Sequence, residues 1–142
     1  IKYSILKQSI GKDIHFDFEK SISFEGDSGP YLQYTAVRIK SLSKKAEEAG
    51  EKASLDNPEE SGDLERQIYR FPAVIKRATE ELAPQLLATY LVELAALYNS
   101  YYTSRPIIGN THVSYRLYLS QSVLNVLTRG LWLLGIKIPE KM

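Results

Sequence analysis

Residues 69–142 read YRFPAVIKRATEELAPQLLATYLVELAALYNSYYTSRPIIGNTHVSYRLYLSQSVLNVLTRGLWLLGIKIPEKM, and this stretch decides the fold. Pro72 opens a helix that runs through Leu82, because proline in a first turn gives up only a donor that has no partner there. Pro84 opens a longer helix that stops before Pro106. Along it Leu87, Leu91, Leu94 and Tyr98 recur at the spacing of one helical face, with Leu86, Tyr90 and Leu97 beside them. A Gly/Asn turn over Ile107–Thr111 leads into a last helix from about His112 to Leu134. Its seam is Leu117, Leu124, Leu127, Leu131 and Leu134. Stripes this wide must be buried against one another, and an all-α, antiparallel helix bundle does so.

Upstream, Asp63 is read as the cap of a short helix to Arg70. Lys44 to Gly62 (KKAEEAGEKASLDNPEESG) is charged and almost free of large apolar residues. It reads as a helix end fraying into a mobile loop. Before it, Asp27 and Ser28 are capping residues and Pro30 suits a first turn. Leu32, Ala36, Ile39 and Leu42 then share one helical face, with Tyr31, Tyr34 and Arg38 on an adjoining one. Ser21 to Ser28 is loop-like. In Asp13–Phe18, the alternation of Ile14, Phe16 and Phe18 with His15 and Asp17 predicts a short strand. Ile1 to Gln8 reads as the tail of a helix.

At 142 residues the chain can bury one good core. Cysteine is absent, and His15 and His112 alone cannot hold zinc. No apolar run reaches membrane-spanning length, and Ile1 to Lys12 does not look like a signal peptide, which makes a cytoplasmic protein the default. The only methionine is Met142, so the chain is expected to be the C-terminal piece of a longer protein. Charge is unevenly spread. Residues 44–66 carry four Lys/Arg against eight Asp/Glu, and residues 67–142 carry eight against four. The last block is therefore net positive, which allows contact with phosphates. No catalytic set is present. Asp17, Glu19, Glu25 and Asp27 read as a solvated loop, and Gly26 and Gly29 are too few for a phosphate loop.

The ten tyrosines are the better clue. Tyr98, Tyr101 and Tyr102 cluster at the end of the long helix with Asn99, Ser100 and Arg105. Such rings stack unpaired RNA bases, while Arg and Lys hold phosphates. They equally serve as core or boundary residues whose hydroxyls reach water. Composition alone favours the core-or-boundary reading.

The step Tyr115-Arg116-Leu117, the run Gly130 to Ile136 (GLWLLGI) and the ending Pro139-Glu140-Lys141-Met142 resemble the DALR-type α-helical anticodon-binding domain of arginyl-tRNA synthetases. Phe24 to Tyr34 (FEGDSGPYLQY), followed by Arg38, resembles the same enzymes just after their catalytic domain. The two matches fall in the family's order and span nearly the whole chain. The resemblance implies that residues 1–29 are a remnant of the region joining the catalytic domain. Residues 30–142 would be the helical domain, with a mobile charged loop at about 44–62.

The implied function is recognition of the anticodon loop of arginine tRNA, especially its central cytosine. The full enzyme would use ATP with magnesium to attach arginine. This chain, lacking the class I signatures, would be inactive alone. Its implied partners are the tRNA and the enzyme's own catalytic domain, and it would act as a monomer. Tyr98-Asn99 matches the aromatic-Asn/Asp step that faces the anticodon loop, and Tyr102 belongs to the same cluster. Met142 matches the family's terminal Met. Arg116 matches the Arg that starts the last helix, where pairing with a carboxylate is the other reading. Gln33, Tyr34 and Arg38 match the first bundle helix and imply packing between domains. The sequence departs from the family at 44–62 and at Thr103–Pro106. The rival readings are a helical protein–protein interaction module and the anticodon domain of another class I synthetase, such as the cysteine enzyme.

Overall fold

Seven helices account for the regular structure in the computed structural model, which describes every residue except Lys12 and His15. They are α1 (Lys2–Leu6), α2 (Phe18–Ile22), α3 (Gly29–Glu48), α4 (Asp63–Tyr69), α5 (Phe71–Glu80), α6 (Pro84–Ser104) and α7 (Val113–Leu133). No strand occurs among the described residues.

Local chemistry sets most boundaries. Ser28 Oγ accepts from the Tyr31 N–H at 3.1 Å, and Pro30 occupies the first turn of α3. Asp27 does not cap this helix. Its carboxylate accepts from the Tyr3 hydroxyl and, at 3.2 Å, from Lys7 Nζ, so it ties α1 to the start of α3. Asp63 is the first residue of α4 rather than its cap. The cap is Gly62, whose N–H donates to the Glu65 carboxylate at 3.0 Å. At the end of α7 the chain turns through Gly135, at φ +67°. The Ile136 N–H bonds back to the Leu131 carbonyl and the Gly135 N–H to that of Trp132, closing the helix end.

Two expectations are corrected. The short strand does not form: residues 13–14 and 16–17 lack regular structure, and Phe18 opens α2. The winning local signal is Asp17, whose carboxylate accepts from the Lys20 N–H at 3.1 Å and caps that helix. His15 lies outside the described residues. The charged segment is irregular only from residue 49, since α3 continues to Glu48. It is also tethered. Ala53 packs against the small cluster of Leu42, Ala46, Ile107 and Leu117. The Ser54 N–H donates to the Ser114 carbonyl at 3.1 Å, and Asn57 Nδ2 donates to that of Thr111 at 3.0 Å. Backbone hydrogen bonds and one small side chain do here what apolar bulk does elsewhere.

The main core surrounds α6, which packs against α1, α3, α4, α5 and α7. Leu32, Ile39, Leu91, Leu94, Leu127 and Leu131 are fully enclosed, and each such leucine contributes roughly 1.5–3 kcal/mol on burial. Tyr98 of α6 meets Ser120 of α7, while Leu91 meets Gly130, so the two long helices run antiparallel. Gly130 allows the close approach. A Cβ there would sit 2.5 Å from a Leu91 methyl carbon. The pairing leaves the last turn of α6 at one end of the bundle, beside α3 and the α6–α7 connection.

Candidate nucleic-acid interface

A groove of about 540 Å³ opens at that end. Tyr34, Arg38 and Lys45 of α3 form one side, and Tyr102 of α6 forms the back. Pro106, Ile107 and Ile108 of the α6–α7 connection form the other side, and Met142 joins from the C-terminal tail. The tail is held against α3 by Gln33, whose side-chain amide donates to the Lys137 carbonyl at 2.6 Å.

Arg38 organises the groove. Its guanidinium lies 5.2 Å from the ring centre of Tyr34 and 5.0 Å from that of Tyr102. Both are cation–π distances, so one cation is gripped by rings from two helices. Asn99 fixes the grip. Its side-chain oxygen accepts from Arg38 at 3.1 Å, while its nitrogen donates to the Tyr31 hydroxyl and to Thr35 Oγ1, each at 3.0 Å. Phe24 meets the Tyr34 ring edge-on at 6.2 Å. A second cleft of about 500 Å³ adjoins the groove, sharing Val37, Ser41, Lys45 and Met142. It carries Lys40, Lys44, Lys45 and Lys141 against Glu48 and Glu140. A flat apolar-cationic slot thus sits beside a positive rim.

The structure separates the site residues expected from the sequence. Tyr102 and Met142 line the groove, and Met142 is half exposed. Asn99 stands behind the groove and spends its amide on Arg38 and on α3. Tyr98 is the first correction. It is fully buried, and its hydroxyl donates to Ser120 Oγ at 3.2 Å. Burial pushes that hydroxyl up to about 12, and no ring face is open for a base. The leucine stripe that places residue 98 on α6 also turns it into the α6–α7 seam.

Arg116 is the second correction. Only 6 % of it is exposed, and its two terminal nitrogens donate to the Glu59 carboxylate and the Pro106 carbonyl, each at 2.5 Å. Its side chain is a buried tie, the alternative role open at that position. Sequence reasoning set Tyr34 and Arg38 aside as interdomain packing and missed Glu59. The signal for the first two was present: they stand four residues apart on α3, on a face adjoining its apolar stripe. Nothing local marks Glu59, because its partners come from distant elements.

These features define a helical bundle domain with a ring-and-cation groove at one end. Residues 32–142 match the DALR anticodon binding domain family, and the chain belongs to that family. It is 37% identical over 146 residues to an arginine–tRNA ligase of Ignicoccus hospitalis. To that of Thermococcus kodakarensis it is 39% identical over 156 residues. Each alignment takes in all of this chain and 24% of the relative. Among solved structures, the arginyl-tRNA synthetase of Thermus thermophilus superimposes with a TM-score of 0.83 at 34% identity, over 99% of this chain and 26% of that one. That of Plasmodium falciparum does so with a TM-score of 0.84 at 25% identity, over 99% and 26%. The chain therefore spans about a quarter of the length of the curated relatives it matches.

Proposed function

We propose that this chain reads the anticodon loop of arginine tRNA as the anticodon-binding domain of an arginine–tRNA ligase. The observation that carries the reading is Arg38 held between Tyr34 and Tyr102 at the mouth of the groove. An unpaired base entering there meets a ring face, and stacking contributes roughly 1–3 kcal/mol per base. Arg38 has donors only. With its guanidinium fixed by Asn99, it selects a base edge carrying adjacent acceptors, as cytosine does at its carbonyl oxygen and ring nitrogen. Met142 supplies a soft apolar contact that adapts to the base. Lys45 and Lys141 lie where flanking phosphates would run, and such contacts set register rather than sequence.

In the longer enzyme this recognition would place the acceptor end of the tRNA at a distant active site and favour the correct tRNA. Arginine activation with ATP and magnesium belongs to the catalytic domain, the chain's intramolecular partner. Among the described residues no group of three or more His, Asp or Glu side chains could hold a metal ion. No described helix is long and apolar enough to cross a membrane. We assign the protein to the cytoplasm and to a monomeric state.

Titration with a stem-loop RNA carrying an arginine anticodon tests the reading. Affinity should fall steeply with salt. It should drop when the central cytosine is replaced, and again in Arg38→Ala. Equal affinity for the altered loop, or unchanged affinity in Arg38→Ala, would overturn it.

A further inference from the structure

We infer that the α3–α4 connection, residues 49–62, is a brace that holds one wall of the groove in place, with Glu59 as its positioning residue. The inference rests on the groove being the RNA site and extends it to a segment that does not line the groove.

The wall in question is Pro106, Ile107 and Ile108, in the connection between α6 and α7. That connection has no regular structure to fix it. Ile107 is anchored by packing on Leu42, Ala46 and Leu117, and the hydrogen bonds that hold the connection's polar groups come from residues 49–62. One Glu59 carboxylate oxygen accepts from Arg116 Nη2 at 2.5 Å. The other accepts from Arg105 Nη1 and from the Tyr101 hydroxyl, each at 3.2 Å. A single carboxylate therefore joins the last turn of α6, the start of the connection and the first turns of α7. Arg116 passes the tie onward by donating to the Pro106 carbonyl, a backbone atom of the wall itself.

The rest of the segment repeats the pattern along the wall. Asn57 Nδ2 holds the Thr111 carbonyl, and His112 Nδ1 lies 3.0 Å from the Asn57 carbonyl oxygen. Ala53 packs beside Ile107. The brace begins where α3 ends, and α3 is the opposite wall. Together with the direct packing of Ile107 on Leu42 and Ala46 of α3, it holds Ile107 and Ile108 at their distance from Tyr34 and Arg38.

Burial makes the tie strong. The side chains of Arg116 and Glu59 are 8% and 15% exposed, and Arg116 Nε finds no partner among the described residues. Taking the carboxylate away leaves a buried cation half satisfied, so Arg116 and the Pro106 carbonyl it holds must shift. Glu59 touches no groove residue's ring or cation, so its effect on a ligand runs through the wall.

The test uses the 142-residue chain and Glu59→Gln, which keeps shape and removes charge. Two quantities are read: the methyl resonances of Ile107 and Ile108 without RNA, and the affinity for the arginine anticodon stem-loop. Both isoleucine methyls should move or broaden while those of Leu91 and Leu94 stay put. Affinity should fall roughly 2- to 30-fold, the range for residues that modulate binding without contact. If Glu59→Gln does not fold, adding Arg116→Met removes the stranded cation and the hold on Pro106 together, and the same losses are expected. A folded variant with unchanged affinity would overturn the brace. If the wild-type chain itself fails to bind the RNA, the groove reading falls, and the methyl resonances still decide whether Glu59 holds the wall.

Discussion

Tyr98 and Tyr102 stand one helical turn apart on α6, yet they belong to two different regions. Tyr98 closes the dry seam between α6 and α7, with its ring enclosed and its hydroxyl spent on Ser120. Tyr102 lines the wet end, its ring 5.0 Å from the Arg38 guanidinium and open to the groove. The rings are 6.2 Å apart. What separates them is what lies over each ring: Ser120 of α7 closes on Tyr98, whereas Arg38 of α3 and the groove lie over Tyr102. The same side chain is structural where helix covers it and available for binding where helix does not.

The sharpest way to break this contrast is truncation on the dry side. Tyr98→Ala removes a fully enclosed ring and should lower unfolding free energy by roughly 3–5 kcal/mol, as emptied aromatic core sites do. Chemical denaturation measures it. A loss near zero would mean that the ring is not core, and would return Tyr98 to the candidate site.

Gly130→Ala probes the seam from the facing helix. The added methyl would meet Leu91, so overpacking should cost roughly 1–3 kcal/mol of stability. Anticodon stem-loop affinity, measured on the folded fraction, should stay at the wild-type value.

On the wet side the sign of the contrast reverses. Tyr102→Ala should weaken stem-loop binding by about 1–3 kcal/mol, the worth of one stacked base. Its stability loss should be smaller than that of Tyr98→Ala. A variant that melts early but binds normally would place Tyr102 with the seam.

A smaller effect concerns pH. The hydrogen bond from Arg116, aided by its charge, holds the Glu59 carboxyl below the usual carboxylate range. Because the folded-state value lies below the unfolded one, the stabilisation is complete above about pH 4.3, the ordinary Glu value. It is lost as pH falls through the folded-state value. The melting-temperature advantage of wild type over Glu59→Gln should therefore be constant near neutrality and shrink below about pH 4. An advantage that persists unchanged into strong acid would show that the charge of Glu59 contributes nothing.

The smallest effect lies at the far end of α6. Leu82 sits in the left-handed region at φ +49° and is 75% exposed, while the Ala83 N–H closes α5 onto the Ala78 carbonyl. Glycine is the residue suited to that position. Leu82→Gly should raise stability by about 1 kcal/mol or less, as the strain is relieved and little packing is lost.

The sequence alone determined the helices of the bundle from Asp63 onward and the start of α3. Pro72 and Pro84 in first turns, Ser28 as a cap and leucines at helical spacing each act within a few residues. The four bundle helices from Asp63 to Leu134 were therefore legible to within one or two positions. The strand at 13–18 failed by the same rule, because alternation needs a partner strand while a cap needs only the next turn. The site was decided by tertiary structure. Tyr98 and Tyr102 carry similar local signals, and only what lies over each ring in space buries the first and leaves the second lining the groove. Arg38 gains its second ring from a helix more than sixty residues away, and Glu59 meets Arg116 across a separation of 57. Met142 joins the groove because Gln33 holds the tail on α3. Hydrogen-bonding propensity is a property of neighbours along the chain, whereas burial and charge pairing depend on which elements meet in space.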